Sequence, residues 1–138
     1  MAQRGNLGAE LLTNALNPYF QFVIDILEKS GGDVVKFIGD AILVSWELKD
    51  SPVETLASAV NGCLKLLERL GSHRVQIPDE DTTFPLSMHI GLGVGSVYDL
   101  HVGATKHERW EYYLAGTAME EVVTLVNVAQ KRELALSR

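Results

Sequence analysis

The chain has 138 residues, 46% of them hydrophobic and 22% charged, which suits one packed domain of ordinary composition. Its formal net charge of −6 excludes a broad grip on a phosphate backbone, so no nucleic acid is expected as a partner. A single cysteine, Cys63, excludes an intrachain disulfide and fits a reducing, cytoplasmic compartment, and no apolar run is long enough to span a bilayer.

From Glu10 to Glu28, Leu12, Leu16, Tyr19, Phe20, Val23 and Leu27 recur at steps of three and four. This spacing predicts a helix with one apolar face, kinked or split at Pro18 and ended by Ser30-Gly31-Gly32. A hairpin follows: one strand from Val34 to Phe37, a reversal at Gly39, and a second strand from Ala41 to Trp46. Gly39 supplies backbone freedom at the turn, and Asp40 opens the returning strand. A carboxylate fixed on a rigid hairpin is a place to hold a hard cation such as Mg²⁺.

Ser51-Pro52-Val53-Glu54 predicts a second helix, with Ser51 as N-cap, Pro52 in the first turn and Glu54 closing a capping box. Leu56, Val60, Cys63, Leu64, Leu67 and Leu70 form its expected buried stripe, and Gly71 its stop. His73 to Pro85, with the acidic trio Asp79-Glu80-Asp81, reads as an exposed loop. Leu86 to Val97 then alternates, with Gly91, Gly93 and Gly95 on one side. This is a strand with a nearly bare face, open to close approach by another element. Tyr98 to Gly103 and Trp110 to Leu114 are two further extended pieces. Thr117 to Glu120 opens a third helix with a second capping box, and Met119, Val122, Val123 and Val126 form its apolar face. Hairpin strands with helices on one face make an α+β fold.

Three segments carry a resemblance over nearly the whole chain: Gly32 through Asp40 with the strand after it, His89 through Val97, and Tyr113-Leu114-Ala115-Gly116 running into Thr117. Together they resemble the catalytic homology domain of class III nucleotidyl cyclases. Within that family they are most similar to first-type (C1) domains of soluble, bicarbonate-responsive adenylyl cyclases. The resemblance implies a ferredoxin-like α+β domain over residues 1–138, with an antiparallel-rich sheet and helices packed on one face. The family's opening strand, with wording like Phe-x-Asp, is missing ahead of the first helix, so the domain is partial.

The activity implied is a phosphorus–oxygen lyase reaction that converts ATP to cyclic AMP and pyrophosphate in intracellular signalling. Two aspartates there hold two Mg²⁺ (or Mn²⁺) ions at the interface with a second-type (C2) cyclase domain. Asp40 matches the second metal aspartate; Phe37 and Gly39 match hairpin positions that set it. Lys36 matches a lysine that holds bicarbonate, but Val123 stands where the matching arginine is expected. Glu120 and Thr124 occupy the positions of the catalytic Asn and Arg, which the second-type domain supplies. This chain is therefore expected to be half of a composite site, inactive by itself. The alternative is a non-catalytic regulatory or dimerisation module derived from such a domain. A small-ligand-binding α+β domain unrelated to cyclases is the weaker third reading.

Plainer roles stand beside these. Asp40 is also a common turn residue, Asp33 a strand-entry residue, Lys36 a snorkelling side chain and Glu120 a cap. The three glycines lack the helix that a dinucleotide motif needs after it. His89, His101 and His107 lack metal-ligand spacing, Cys63 sits on a helix core face, and no serine among Ser45, Ser87 and Ser96 has a nucleophile-elbow context.

Overall fold

The computed structural model describes residues 2–71, 74–76, 81 and 83–137. They form an α+β chain that divides into two compact units, Met1–Met88 and His89–Arg138.

In the first unit, α1 (Ala2–Lys29) runs through Pro18 as one helix instead of splitting there. Loss of one backbone bond at proline is offset by burial on both sides: Ala15, Tyr19, Val23 and Leu27 form its sequestered stripe. The helix stops as its glycines require. Gly31 takes φ +86°, its N–H donates to the Glu28 carbonyl at 2.9 Å, and the Gly32 N–H donates to the Leu27 carbonyl at 3.0 Å. These two bonds and the left-handed residue make a Schellman stop.

β1 (Asp33–Ile38) and β2 (Ala41–Ser45) form an antiparallel hairpin closed by Gly39-Asp40. Gly39 has φ +60° and Asp40 does not share the positive φ, which is the pattern of a type II′ turn. The register slips by one residue at Val35, a β-bulge. Trp46 follows β2. Its indole N–H donates to the Ser30 carbonyl at 3.2 Å, and its ring lies so close to Gly32 that a Cβ there would sit 2.8 Å from it. Both ends of the hairpin are thus tied to the end of α1.

α2 (Pro52–Leu70) begins and ends near the expected residues, but by different means. Ser51 occupies the N-cap with φ −131° and ψ 72°, and its hydroxyl makes no capping bond, so the capping box is not formed. Gly71 closes the helix in a right-handed conformation. The buried stripe is Ala59, Cys63, Leu66 and Leu70, joined by Gly62; Leu64, expected inside, is half exposed. The correction is a rotation of the helix toward its small residues. A Cβ on Gly62 would meet the Ser30 side chain at 2.6 Å, so the two helices approach through this glycine.

The expected loop after α2 contains a short hairpin, β3 (Arg74–Gln76) against β4 (Thr83–Pro85), anchored by buried Val75. Asp81 is exposed; His73, Pro78, Asp79 and Glu80 lie outside the described residues.

In the second unit only Ile90–Leu92 (β5) of the expected Leu86–Val97 strand joins a ladder. Its partner, β8 (Leu134–Leu136), is three residues long, lies parallel to it, and limits the pairing. β6 (Tyr98–Ala104) and β7 (Arg109–Ala115) form a regular antiparallel ribbon, joined through a single 3-10 turn at Thr105–His107. α3 (Thr117–Val128) lies on the bare side of the glycine strand. A Cβ on Gly91 would stand 2.7 Å from the Val126 nitrogen, and one on Gly93 would stand 2.8 Å from the Glu121 Cβ.

The second capping box is also absent. Gly116 is the N-cap, and Thr117 instead accepts the Ser96 N–H on its hydroxyl at 3.0 Å. Ala118 is buried on α3, while Val123, expected on the apolar face, is 54% exposed. Among the described residues the strands form four two-stranded sheets, three antiparallel and one parallel.

Candidate functional site

The hairpin β1–β2 carries every site residue expected in the first unit. Strand alternation puts Lys36 and Phe37 on opposite faces. Phe37 meets Phe20 of α1 edge to face, with ring centroids 5.4 Å apart and planes at 85°. This contact fixes the side of the hairpin that faces the helix. Lys36 is half-buried on the other face, opposite Leu43 in the ladder.

Beyond them the type II′ turn lifts Asp40 clear of the unit. Asp40 is exposed, and among the described residues its carboxylate has no hydrogen-bond or ion-pair partner. A Cβ built on the neighbouring Gly39 meets nothing within 4 Å. The arrangement is a solvated anion at the end of a braced two-stranded arm.

Whether that arm holds a metal by itself is a question of donors. Mg²⁺ demands near-octahedral oxygen coordination and gives up water reluctantly. No group of three or more His, Cys, Asp or Glu side chains that could hold a metal ion occurs among the described residues. One carboxylate at the hairpin tip does not fit a resident ion, and a site there needs donors from elsewhere.

The other expected positions lie in the second unit. Glu120, Val123 and Thr124 share one exposed face of α3, and the Thr124 hydroxyl donates to the Glu120 carbonyl at 3.0 Å. Asp33 is exposed at the start of β1. A cavity of about 340 Å³ opens at the other end of β2 from Asp40, lined by Ser30, Gly31, Trp46, Glu47, Ser51, Glu54, Thr55 and Ser58. It contains none of the expected site residues, and Glu47 is ion-paired with Lys49 at 2.8 Å.

Burial displaces two groups of the first unit's core. The Cys63 thiol is pushed up to about 11, and the Tyr19 phenol is also raised. Both face the core of the first unit, away from chemistry. Sequence reasoning missed Phe20 as the brace for Phe37 and the Trp46–Ser30 tie at the hairpin root. Phe20 was already on the apolar face of the first helix, but nothing local in the sequence pairs the two rings.

The chain matches the family described as adenylate and guanylate cyclase catalytic domain over residues 2–137. It is 29% identical over 130 residues to human adenylate cyclase type 10, and 30% identical over 131 residues to the mouse protein. Each alignment covers 94% of this chain but 8% of the relative, so the chain spans a small fraction of those proteins. Among solved structures, the guanylyl cyclase Cya2 superposes with a TM-score of 0.66 at 22% identity, over 94% of this chain and 64% of that one. That likeness supports the fold. Among the described residues no helix is long and apolar enough to cross a membrane.

Proposed function

Because the chain belongs to the adenylate and guanylate cyclase catalytic domain family, we propose that it acts as the first-type half of a composite adenylyl cyclase site. The observation that carries this reading is the hairpin: Asp40, which by resemblance takes the place of a family metal aspartate, stands exposed on a braced arm with no hydrogen-bond or ion-pair partner among the described residues. The family match over residues 2–137 supports one cyclase homology domain, and similarity to adenylate cyclase type 10 supports ATP over GTP.

In the proposed reaction the ribose 3′-hydroxyl of ATP attacks the α-phosphorus, the bond to the β-phosphate oxygen breaks, and cyclic AMP and pyrophosphate leave. What this chain's residues do is bounded by their placement. Gly39 and the Phe37–Phe20 contact hold the Asp40 carboxylate out where a second cyclase domain can add the remaining donors. Mg²⁺ or Mn²⁺ belongs to that completed site, since no group of three or more possible ligands occurs among the described residues. The second domain also supplies the amide and guanidinium groups that Glu120 and Thr124 cannot. Bicarbonate at Lys36 lacks support, because Val123 offers no positive charge. A cytoplasmic location is part of the proposal.

We expect purified residues 1–138 to make no detectable cyclic AMP from Mg-ATP or Mn-ATP. Turnover by the chain alone that Asp40→Ala abolishes would overturn the half-site reading. In an assembly with the opening strand restored and a second-type domain added, Asp40→Asn should lower kcat by about 10²-fold or more. Full rate in that variant removes the metal assignment. A non-catalytic regulatory module is the second reading, favoured by the exposed Glu120 and Thr124 at the two transition-state positions; activity of the complete assembly decides between them.

A further inference from the structure

The cavity of about 340 Å³ in the first unit opens between the end of α1, Trp46 after β2 and the start of α2. Ser51, Glu54, Thr55 and Ser58 line it, and their spacing puts them on one polar face of α2. Further along the same face, Gly62 brings the helices together, since a Cβ there would meet the Ser30 side chain at 2.6 Å. The cavity is the gap left over the first two turns of α2.

The hydroxyls on this face are unspent. On the other helices, Thr13 and Thr124 turn theirs back to the carbonyl four residues earlier, at 2.8 and 3.0 Å. Ser51 makes no capping bond, and neither Thr55 nor Ser58 has a hydrogen-bond partner among the described residues. The one N–H among the lining side chains, on the Trp46 indole, already donates to the Ser30 carbonyl at 3.2 Å. The lining side chains therefore offer carboxylate and hydroxyl oxygens and an indole ring, and no positive charge.

Charge decides the kind of ligand. Glu47 and Glu54 bring two carboxylates, and Lys49, paired with Glu47 at 2.8 Å, brings one ammonium, which leaves one negative charge in excess. The positive end of α2 offsets roughly half a charge, too little to favour an anion. We propose that the cavity binds a small organic primary ammonium ion. Its N–H groups donate to the Glu54 carboxylate and to the free hydroxyls of Thr55 and Ser58, and its apolar stem lies against the Trp46 ring. The volume is in the range of small-molecule sites. The site lies within the first unit, at the end of β2 away from Asp40, and stands or falls apart from the cyclase reading.

Titration of the 138-residue chain with 2-phenylethylammonium at fixed ionic strength tests it, read by Trp46 fluorescence in Trp110→Phe. Saturable binding is expected, with a Kd of about 1 mM or tighter. 2-Phenylethanol, which lacks the charge, and 3-phenylpropanoate, which reverses it, should bind at least about tenfold more weakly. Glu54→Gln should weaken ammonium binding roughly tenfold. Glu68→Gln, which removes the same charge from the exposed far end of α2, should change it by less than about twofold. No saturable binding of the ammonium, equal binding of the alcohol or the carboxylate, or equal loss in the two glutamine variants overturns the proposal. If Trp46 emission does not respond or Glu54→Gln loses its fold, amide NMR shifts of the wild type decide. Shifts centred on Gly31, Trp46, Thr55 and Ser58 support the site, and shifts scattered outside the cavity or absent overturn it.

Discussion

At the scale of single residues, two glycines separate two costs. Gly95 lies under the start of α3: a Cβ there would stand 2.7 Å from the Ala118 nitrogen and closer still to the Thr117 hydroxyl. Gly39 has open space around it but a φ of +60°. Gly95→Ala should therefore cost about 1–3 kcal/mol by overpacking, and Gly39→Ala about 1 kcal/mol by backbone strain alone. Urea denaturation measures both. Gly39→Asn should recover part of its loss, because Asn tolerates the left-handed region, whereas Gly95→Asn should be worse than alanine. Equal behaviour of the two series would show that α3 shifts freely off the glycine strand. The bare face was legible in the sequence as alternation of glycine with apolar residues. What would cover it was not, because Gly91 and Val126 are brought together by the fold and not by any local pattern.

Among elements, α2 shows how far periodicity reaches. Its limits and amphipathic character follow from Ser51-Pro52 and the recurring leucines, yet the stripe it buries is centred on Ala59, Cys63 and Leu66. Side-chain size favours Leu64, while close approach of the end of α1 at Gly62 selects the small side of the helix. The two capping boxes fail for a related reason. They are local motifs, and Thr117 has a better-placed distant partner in Ser96. The strands β3, β4 and β8 are three residues each, too short to show a period of two.

Burial of Cys63 on α2 also has a pH consequence. Burial pushes its thiol from an ordinary 9.0 up to about 11 in the folded chain. The unfolded chain then releases this proton first, so the contribution is whole below about pH 9 and falls as pH rises from there to about 11. The loss is about 3 kcal/mol, set by the gap between the two values at 1.36 kcal/mol per pKa unit. Stability of Cys63→Ala should decline less steeply over that interval; parallel pH profiles for the two proteins would show that the thiol carries no such linkage.

For the whole molecule, the core is unevenly shared. Of the ten buried apolar side chains among the described residues, nine belong to Met1–Met88 and only Ala118 to His89–Arg138. The second unit is accordingly expected to open first. Each unit has one tryptophan, Trp46 and Trp110, so single-tryptophan variants report them separately. In urea, at concentrations where the chain is monomeric, Trp110 fluorescence in Trp46→Phe should change at lower denaturant than Trp46 fluorescence in Trp110→Phe. Coincident transitions would mean that the two units unfold as one. At this scale the family, the α+β class and the place of Asp40 were legible, because long helices and a glycine-marked hairpin have strong signatures. The partition of the core was not, since it depends on which apolar faces meet.

β8 (Leu134–Leu136) has a consequence in time. It supplies the ladder partner of β5, and Ser137 adds bonds to Leu92 and Val94, so the glycine strand is closed by residues more than forty positions downstream. On a ribosome, β5 emerges long before the segment that pairs with it, and the loop between them must close in a single late step. The second unit therefore completes its ladder only after β8 has emerged, whereas the described elements of the first unit all lie upstream of β5.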